Sequence, residues 1–573
     1  MNIACVGGGP AGLYFAISMK LRDPAHRIAV FERNASGVTF GWGVVFSDQT
    51  VDNLMANDSV SAKIIASEFA HWGDIDVHVH GQTITSSGHG FIGIGRKRLL
   101  EILQDRARDL GVELHFDSEC DPADPKWSDF DLVIASDGIN SRFREAQADA
   151  FGVDVETRAN KFVWLATPKA FDAFTFAFEQ TAAGWIWAHA YRFTPNCSTF
   201  IVECSEATWA GLGFDRIDQA DAIALCENIF AKYLDGQPLL SNAAHLVGSA
   251  AWLNFRRIKC AQWSSGNIIL IGDAAHTAHF SIGSGTKLAL EDAIKLAEVL
   301  NRDDLGLDAA LFEYQAERSL EVLKLQNSAR NSTEWFETLD RYLQFEPLQF
   351  AYSLLTRSQR ISHENLRLRD QHWLEGVERW FWNRATDGEV DKAAPPMFAP
   401  FKLREMELTN RITVSPMAIY SAVDGVPGDF AFVHYGERAM GGAALLFTEM
   451  TCVSPEGRIS RGCPGMWNAE QVAAWKRITA FVHAHSAAKF CLQLGHSGAK
   501  GSTKIGWEGY DVPLDTGNWP LIAASDVAWS PANQAPTPMT RVDMDRVRDE
   551  FVAATRRGEE AGFDMVELHA AHG

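Results

Sequence analysis

The run Asn2-Ile3-Ala4-Cys5-Val6-Gly7-Gly8-Gly9-Pro10-Ala11-Gly12 decides how the chain begins to fold. Ile3 to Val6 reads as a buried strand, Leu13 to Leu21 as a helix, and Arg27 to Phe31 as a second strand ending at Glu32. Between strand and helix, Gly7, Gly9 and Gly12 stand at the spacing GxGxxG. Gly7 permits a tight turn, Gly9 lets the backbone approach a pyrophosphate, and Gly12 lets the helix settle on the strand. The helix N-terminus adds amide donors and positive potential for phosphate. Glu32, followed by Arg33, stands where a carboxylate takes ribose hydroxyls. The spacing predicts a dinucleotide site, and does not by itself separate FAD from NAD.

Outward from this unit the organisation changes twice. Residues 75–95 carry five glycines and read as short strands and turns belonging, with 160–260, to a substrate sheet. Arg96 to Leu110 reads as a helix with Leu99, Leu100 and Leu103 on one face, and Asp131 to Ala135 as another buried strand. Residues 160–260 are strand-rich, which predicts a substrate-type sheet inserted between cofactor-binding segments. Ile268 to Ile271 reads as strand, Gly285 to Leu300 as a long helix, and 305–390 as largely helical. Asp391-Lys392-Ala393-Ala394-Pro395-Pro396 reads as a linker between 1–390 and 397–573. Beyond it, short apolar strands alternate with helices, as in parallel β/α units.

Composition bounds the function. With 573 residues and 46% hydrophobic content, two or more domains with sizeable cores are expected. A formal net charge of -21 repels nucleic acid and anionic membranes, so neither is an expected partner. The nine cysteines form no CxxC pair, which argues against a disulfide framework or a metal site and suits a reducing compartment. No signal peptide or membrane span is read, and the expected location is the cytoplasm.

Two later segments narrow the dinucleotide. Asp131-Leu132-Val133-Ile134-Ala135-Ser136-Asp137-Gly138-Ile139-Asn140-Ser141-Arg142 resembles the DG motif of flavoprotein aromatic hydroxylases. Gly272-Asp273-Ala274-Ala275-His276, followed by Gly283 and Gly285, resembles their second flavin motif. This resemblance covers roughly 1–390 and implies a Rossmann-like FAD-binding fold. It implies that Asp137 and Gly138 flank FAD, that Asp273 takes a ribityl oxygen, that the loop through Gly283 and Gly285 cradles the ring system, and that Arg96 lies near the adenosine end. Gly41 to Phe46, Phe200 to Cys204 and His279 to Thr286 resemble the branch that hydroxylates tryptophan, salicylyl-CoA and 2-aminobenzoyl-CoA. Most aromatic hydroxylases carry prolines about where His279 and Phe280 stand, which leaves His279 a candidate catalytic residue facing flavin or substrate. NAD(P)H would reduce the FAD, and O₂ would supply the oxygen put on an aromatic ring. With no second GxGxxG in the chain, NAD(P)H would meet the flavin transiently.

Residues 397–573 resemble the old yellow enzyme family of FMN reductases. Leu408 to Met417, Val453 to Ser460 and Glu567-Leu568-His569-Ala570-Ala571-His572-Gly573 carry the likeness. The resemblance implies Pro416, Met417 and Gln493 at FMN, and His569 and His572 as catalytic residues that polarise a conjugated alkene. It implies the first half of a TIM (β/α)₈ barrel, so the fold class is α/β and α+β, and FMN binding belongs to the complete second domain. The expected substrate is an aromatic CoA thioester, with Arg256, Arg257 and Lys259, or Lys97 and Arg98, as the patch for its phosphates; a homodimer is also expected. A free aromatic acid, an indole or tryptophan substrate, and a non-catalytic FAD-binding protein are the alternatives.

Overall fold

Ile3, Ala4 and Cys5 are fully buried, as a strand covered on both faces must be. In the computed structural model, which describes residues 1–39, 41–242 and 252–572, they lie in the middle of a six-stranded sheet. Its order is Ser264–Ser265, Ile268–Leu270, Leu132–Ala135, Asn2–Val6, Arg27–Phe31 and Glu113–His115. All neighbours are parallel except the edge pair Ser264–Ser265 and Ile268–Leu270. Helices Pro10–Arg22, Arg96–Asp109 and Gly285–Leu300 add Leu13, Phe15, Leu99, Leu103, Leu288 and Leu296 to the same core. The strand–helix–strand reading around Gly7 therefore holds.

The chain divides into two compact units, Met1–Leu374 and Glu375–Gly573. The first also holds a seven-stranded sheet of Leu253–Cys260, Val153–Thr167, Cys197–Cys204, Gly184–Thr194, Phe174–Thr181, Ile75–Val79 and Gln82–Ser86. Side chains alternate across it with period two. Val163, Leu165, Ala177, Ala188, Phe200 and Val202 cluster with the partly buried residues of helices Glu206–Gly211 and Gln219–Ile229. Phe162, Phe176, Trp187, His189 and Glu203 take the other parity and face the loop 279–282 and helix Leu307–Glu337.

The sequence-based picture of this region needs correction. Residues 75–95 do not all join the substrate sheet. Phe91–Gly95 pairs instead with Gly43–Phe46 and Ala70–Trp72 in a separate three-stranded sheet. Its glycines are the reason: a Cβ on Gly93 would meet the Trp72 ring at 2.8 Å, so the strand packs closer than a side chain allows. The strand-rich reading of 160–260 also includes the helices of 206–234, and its residues 243–251 lie outside those described, as does Gly573.

In the second unit, Thr413–Val414, Leu445–Phe447, Lys489–Gly495 and Met565–His569 are parallel neighbours in chain order. Helices Asp429–Met440, Ala469–His485 and Arg541–Ala561 connect them. These are the leading β/α units of a TIM-type fold, with Leu446, Phe490, Leu492 and Trp475 in their core. Among the described residues no helix is long and apolar enough to cross a membrane.

Candidate functional site

Gly7 has φ +106°, and a Cβ there would sit 2.4 Å from the Ser136 carbonyl oxygen. On Gly12 it would sit 2.3 Å from the Gly7 oxygen and 2.4 Å from Ser136 Oγ. These two glycines are required by the protein's own packing. Gly9 is different: nothing lies within 4 Å of where its Cβ would be, so its freedom serves the space in front of the helix. A Cβ on Gly138 or Gly285 would likewise meet nothing within 4 Å, while one on Gly283, at φ +61°, would meet Val45 at 3.6 Å.

Charged groups rim this space. The Gly8 amide donates to Glu32 Oε2 at 2.9 Å, and Glu32 Oε1 accepts from the Asn34 amide and side chain at 2.8 and 2.7 Å. Oε2, with one donor, keeps a lone pair for a further one. Arg33 beside it is exposed. Asp137 Oδ2 accepts from the Arg142 amide at 2.9 Å, but its Oδ1 is buried without a partner, and burial raises its pKa above the usual carboxylate range. Arg96 opens its helix on the Trp42 carbonyl, and its Nε is likewise buried and unpartnered. Burial lowers the Arg96 pKa, against the pull of Asp273. Asp273 is exposed to water yet surrounded by enough protein to raise its pKa, with Arg96 and His276 opposing. An exposed carboxylate that is also desolvated lies in a concavity. Unpartnered atoms on Asp137 and Arg96, open space at three glycines and a helix N-terminus make a donor set that fits a dinucleotide such as FAD.

The turn at 272–276 is held by charge. His276 Nε2 meets Asp292 Oδ2 at 2.7 Å, Gly272 donates its amide to the same oxygen at 3.1 Å, and Arg318 Nε donates to Asp292 Oδ1 at 2.9 Å. Burial would raise the Asp292 pKa, but His276 and Arg318 more than offset it and hold it below the usual range. Three residues on, His279 is buried, and Nδ1 meets Ser281 Oγ at 2.9 Å and accepts from the Ser281 amide at 3.2 Å. Burial lowers its pKa to about 4. Phe255, Phe280 and Phe162 form an aromatic wall beside it.

Beneath that wall lies a cluster that sequence reasoning did not single out. Glu203 accepts from Asn160 at 2.9 Å, Trp187 at 3.1 Å and His189 at 3.0 Å, all buried. A period-two run with Trp187, His189 and Glu203 on one parity was its only signal. Of the expected phosphate patch, Arg257 pairs with Asp154 and Glu156, and Arg98 with Glu68 and Glu101.

In the second unit, Gln493 is buried at the end of its strand and reaches Glu567 at 3.4 Å. His569, one strand over, meets His572 through Nε2 and Nδ1 at 3.0 Å. Burial, then His569 and Lys500, lowers the His572 pKa to about 4. Pro416 and Met417 follow the strand Thr413–Val414, with Met417 40% exposed. Glu449 anchors that segment by accepting from the Ile419 and Tyr420 amides at 2.8 and 3.0 Å, and burial raises its pKa to about 8.

A family profile described as "FAD binding domain" matches residues 129–327, and one described as "NADH:flavin oxidoreductase / NADH oxidase family" matches 396–573. The chain is 42% identical to a salicyloyl-CoA 5-hydroxylase of a Streptomyces species, over 72% of this chain and 79% of that one. It is 35% identical to a 3-hydroxy-4-methyl-anthranilyl-[aryl-carrier protein] 5-monooxygenase of Streptosporangium sibiricum, over 59% of this chain and 90% of that one. An NADPH dehydrogenase of Listeria monocytogenes is 38% identical over 31% of this chain, a match that spans 48% of that protein. FAD is the cofactor of the first unit's relatives, and FMN with NAD(P)H belongs to the second's. The chain therefore belongs to the family of flavin-dependent aromatic-ring monooxygenases that includes salicyloyl-CoA 5-hydroxylase, acting with O₂ on an aromatic substrate, and carries with it a domain of the NADH:flavin oxidoreductase family.

Proposed function

We propose that the protein hydroxylates an aromatic acyl thioester, salicylyl-CoA or 2-aminobenzoyl-CoA, at the expense of NAD(P)H, and that its second domain reduces the product. The observation that carries this reading is the 42% identity to a salicyloyl-CoA 5-hydroxylase across 79% of that enzyme. FAD, when bound, supplies the electrons and the activation of O₂ that the ring oxidation needs.

The chain's own residues do the rest. The turn from Gly7 to Gly12 and the following helix hold the pyrophosphate, and Glu32 and Arg33 meet the adenosine ribose. Arg96, Asp137 with Gly138, and Asp273 supply the donors and acceptors along the chain of FAD, and the loop through Gly283 and Gly285 lies against the ring system. Phe162, Phe255 and Phe280 keep water from the reacting face. His279 faces the flavin or the substrate. In the complete second domain, Pro416, Met417 and Gln493 would hold FMN, and His569 and His572 would bind the polarising group of the alkene. The working boundary falls at 391–396, between 1–390 and 397–573. Nine free cysteines fit a reducing cytoplasm.

The test is oxidation of NADH and NADPH by FAD-loaded protein, with salicylyl-CoA, 2-aminobenzoyl-CoA, the free acids and tryptophan added in turn. Stimulation by a CoA ester with a hydroxylated product by mass spectrometry is the expected result. Stimulation by a free acid or tryptophan alone sinks the thioester assignment.

A further inference from the structure

His279 ends a chain of hydrogen bonds that starts at an arginine. Arg357 Nε donates to Ser332 Oγ at 2.9 Å, Ser332 Oγ meets Ser281 Oγ at 2.8 Å, and Ser281 Oγ meets His279 Nδ1 at 2.9 Å. The two serine hydroxyls have no direction of their own, since each donates or accepts. Arg357 has: a guanidinium carries only donors. Its other nitrogens are spent on the Leu354 carbonyl at 2.7 Å and the Ser281 carbonyl at 2.9 Å, and its plane lies over Phe176 and Phe336 at 5.1 and 5.2 Å. Ser332, fully buried, accepts from Arg357, and among the described residues its one other partner is Ser281 Oγ, to which it turns its proton. Ser281 turns its own to His279. The Ser281 amide, which can only donate, also points at Nδ1, at 3.2 Å. Both donors require Nδ1 to be the bare nitrogen. The imidazole proton is then on Nε2, for which no protein acceptor exists among the described residues.

We propose that Ser281, Ser332 and Arg357 are positioning residues that lock His279 in its Nε2–H form, so that His279 serves the hydroxylation as a fixed hydrogen-bond donor to an oxygen of the substrate or flavin and never as its base. Arg357 and Ser332 lie 78 and 53 positions after His279, outside any motif. The surrounding charges agree. Glu203 from strand Cys197–Cys204 is the one group that favours an imidazolium, and its carboxylate is already shared by Asn160, Trp187 and His189. His189 from Gly184–Thr194, Arg158 from Val153–Thr167 and Arg357 all disfavour it, as does burial. A histidine kept neutral through the physiological range donates at constant strength.

The inference rests on the hydroxylase reading for its use, but its central claim is a protonation state that can be read without turnover. The FAD-loaded full chain is labelled with ¹⁵N at its 18 histidines, and the His279 signals are identified by their loss in His279→Gln. The expected spectrum shows a neutral Nε2–H ring that does not titrate between about pH 8 and 5.5, where an ordinary histidine does. In Ser332→Ala the Ser281 amide stays on Nδ1, but the Ser281 hydroxyl loses the donor that turns it and becomes free to accept, so the same signals gain a minor Nδ1–H population. An Nδ1–H ring, titration near the ordinary histidine value, or an unchanged spectrum in Ser332→Ala overturns the proposal. Product formed per NAD(P)H consumed gives the second readout. His279→Gln, whose amide falls near the Nε2 position, is expected to keep it within about threefold, and His279→Asn, whose amide falls near Nδ1, to lose about tenfold. Equal losses in the two overturn the donor role. Should no aromatic compound be hydroxylated at all, the function assigned above fails, and the tautomer spectrum still decides the lock.

Discussion

Two turns bring glycines to the cofactor side of the first unit, and they are held by opposite means. The turn at 7–12 is held by shape. Gly7 and Gly12 press against Ser136 and each other at distances no Cβ survives, and among the described residues the only charged partner is Glu32 on the Gly8 amide. The turn at 272–285 is held by charge, with Asp292 gathering the Gly272 amide, His276 and Arg318 in one buried knot. Shape requires only neighbours in sequence and one strand. Charge borrows Asp292 and Arg318 from two later helices, and every ion in the knot depends on the others.

That difference predicts unequal fragility. Asp292→Ala takes the acceptor from the Gly272 amide, His276 Nε2 and Arg318 Nε, leaving the buried guanidinium with Glu291 at 3.2 Å, and should cost about 3 kcal/mol in a urea melt, the largest loss of the set. If Asp292→Asn, which keeps the shape, proves harmless, charge does not hold this turn. Gly12→Ala forces a methyl onto the Gly7 carbonyl and should cost about 1–3 kcal/mol, with loss of retained FAD on gel filtration; the helix gains about 1 kcal/mol from the exchange, too little to offset it.

Acid separates the turns as well. Asp292 has a folded pKa below its unfolded one, so its stabilisation is complete above the ordinary carboxylate value of 3.8 and lost as pH falls through the folded value. His279 and His89 are held down to about 4 from 6.5, so the unfolded chain takes up their protons first, and stability should already decline between pH 6.5 and 4. Thermal melts at pH 7.5, 5.5 and 4.5 should show a falling midpoint, with part of the fall between the first two absent in His279→Gln. The smallest structural effect is expected at Gly9. Gly9→Ala meets nothing within 4 Å and should change the stability of FAD-free protein by less than about 0.5 kcal/mol, while weakening FAD binding by about tenfold. A large stability change there would mean that Gly9 serves packing like its neighbours.

The same contrast explains what was legible in the sequence. Gly7, Gly9, Gly12 and the strand before them are read from a dozen consecutive residues, because a shape-held turn is written locally. Gly285–Leu300 came out at its observed bounds, since it carries a long apolar period. The DG and GD motifs were read as sites, yet their supports at Asp292 and Arg318 were not, because nothing in local spacing says which helix will lie against which turn. The strand Phe91–Gly95 was placed in the wrong sheet for a related reason. Its glycines announce close approach and do not name the partner. Glu203 and Arg357 belong to the same class: a buried charge is recognised only when the groups that surround it are seen together.

The chain from Arg357 to His279 carries one more consequence. Restoring aromaticity after oxygen is added moves a proton off the ring carbon, to be used in forming the water that is the second product, and a line of hydroxyls ending in solvent would offer that proton a leak. This line ends in a guanidinium, which accepts nothing. It is insulated at its inner end, as a wire capped with ceramic is, and it carries no proton away from His279.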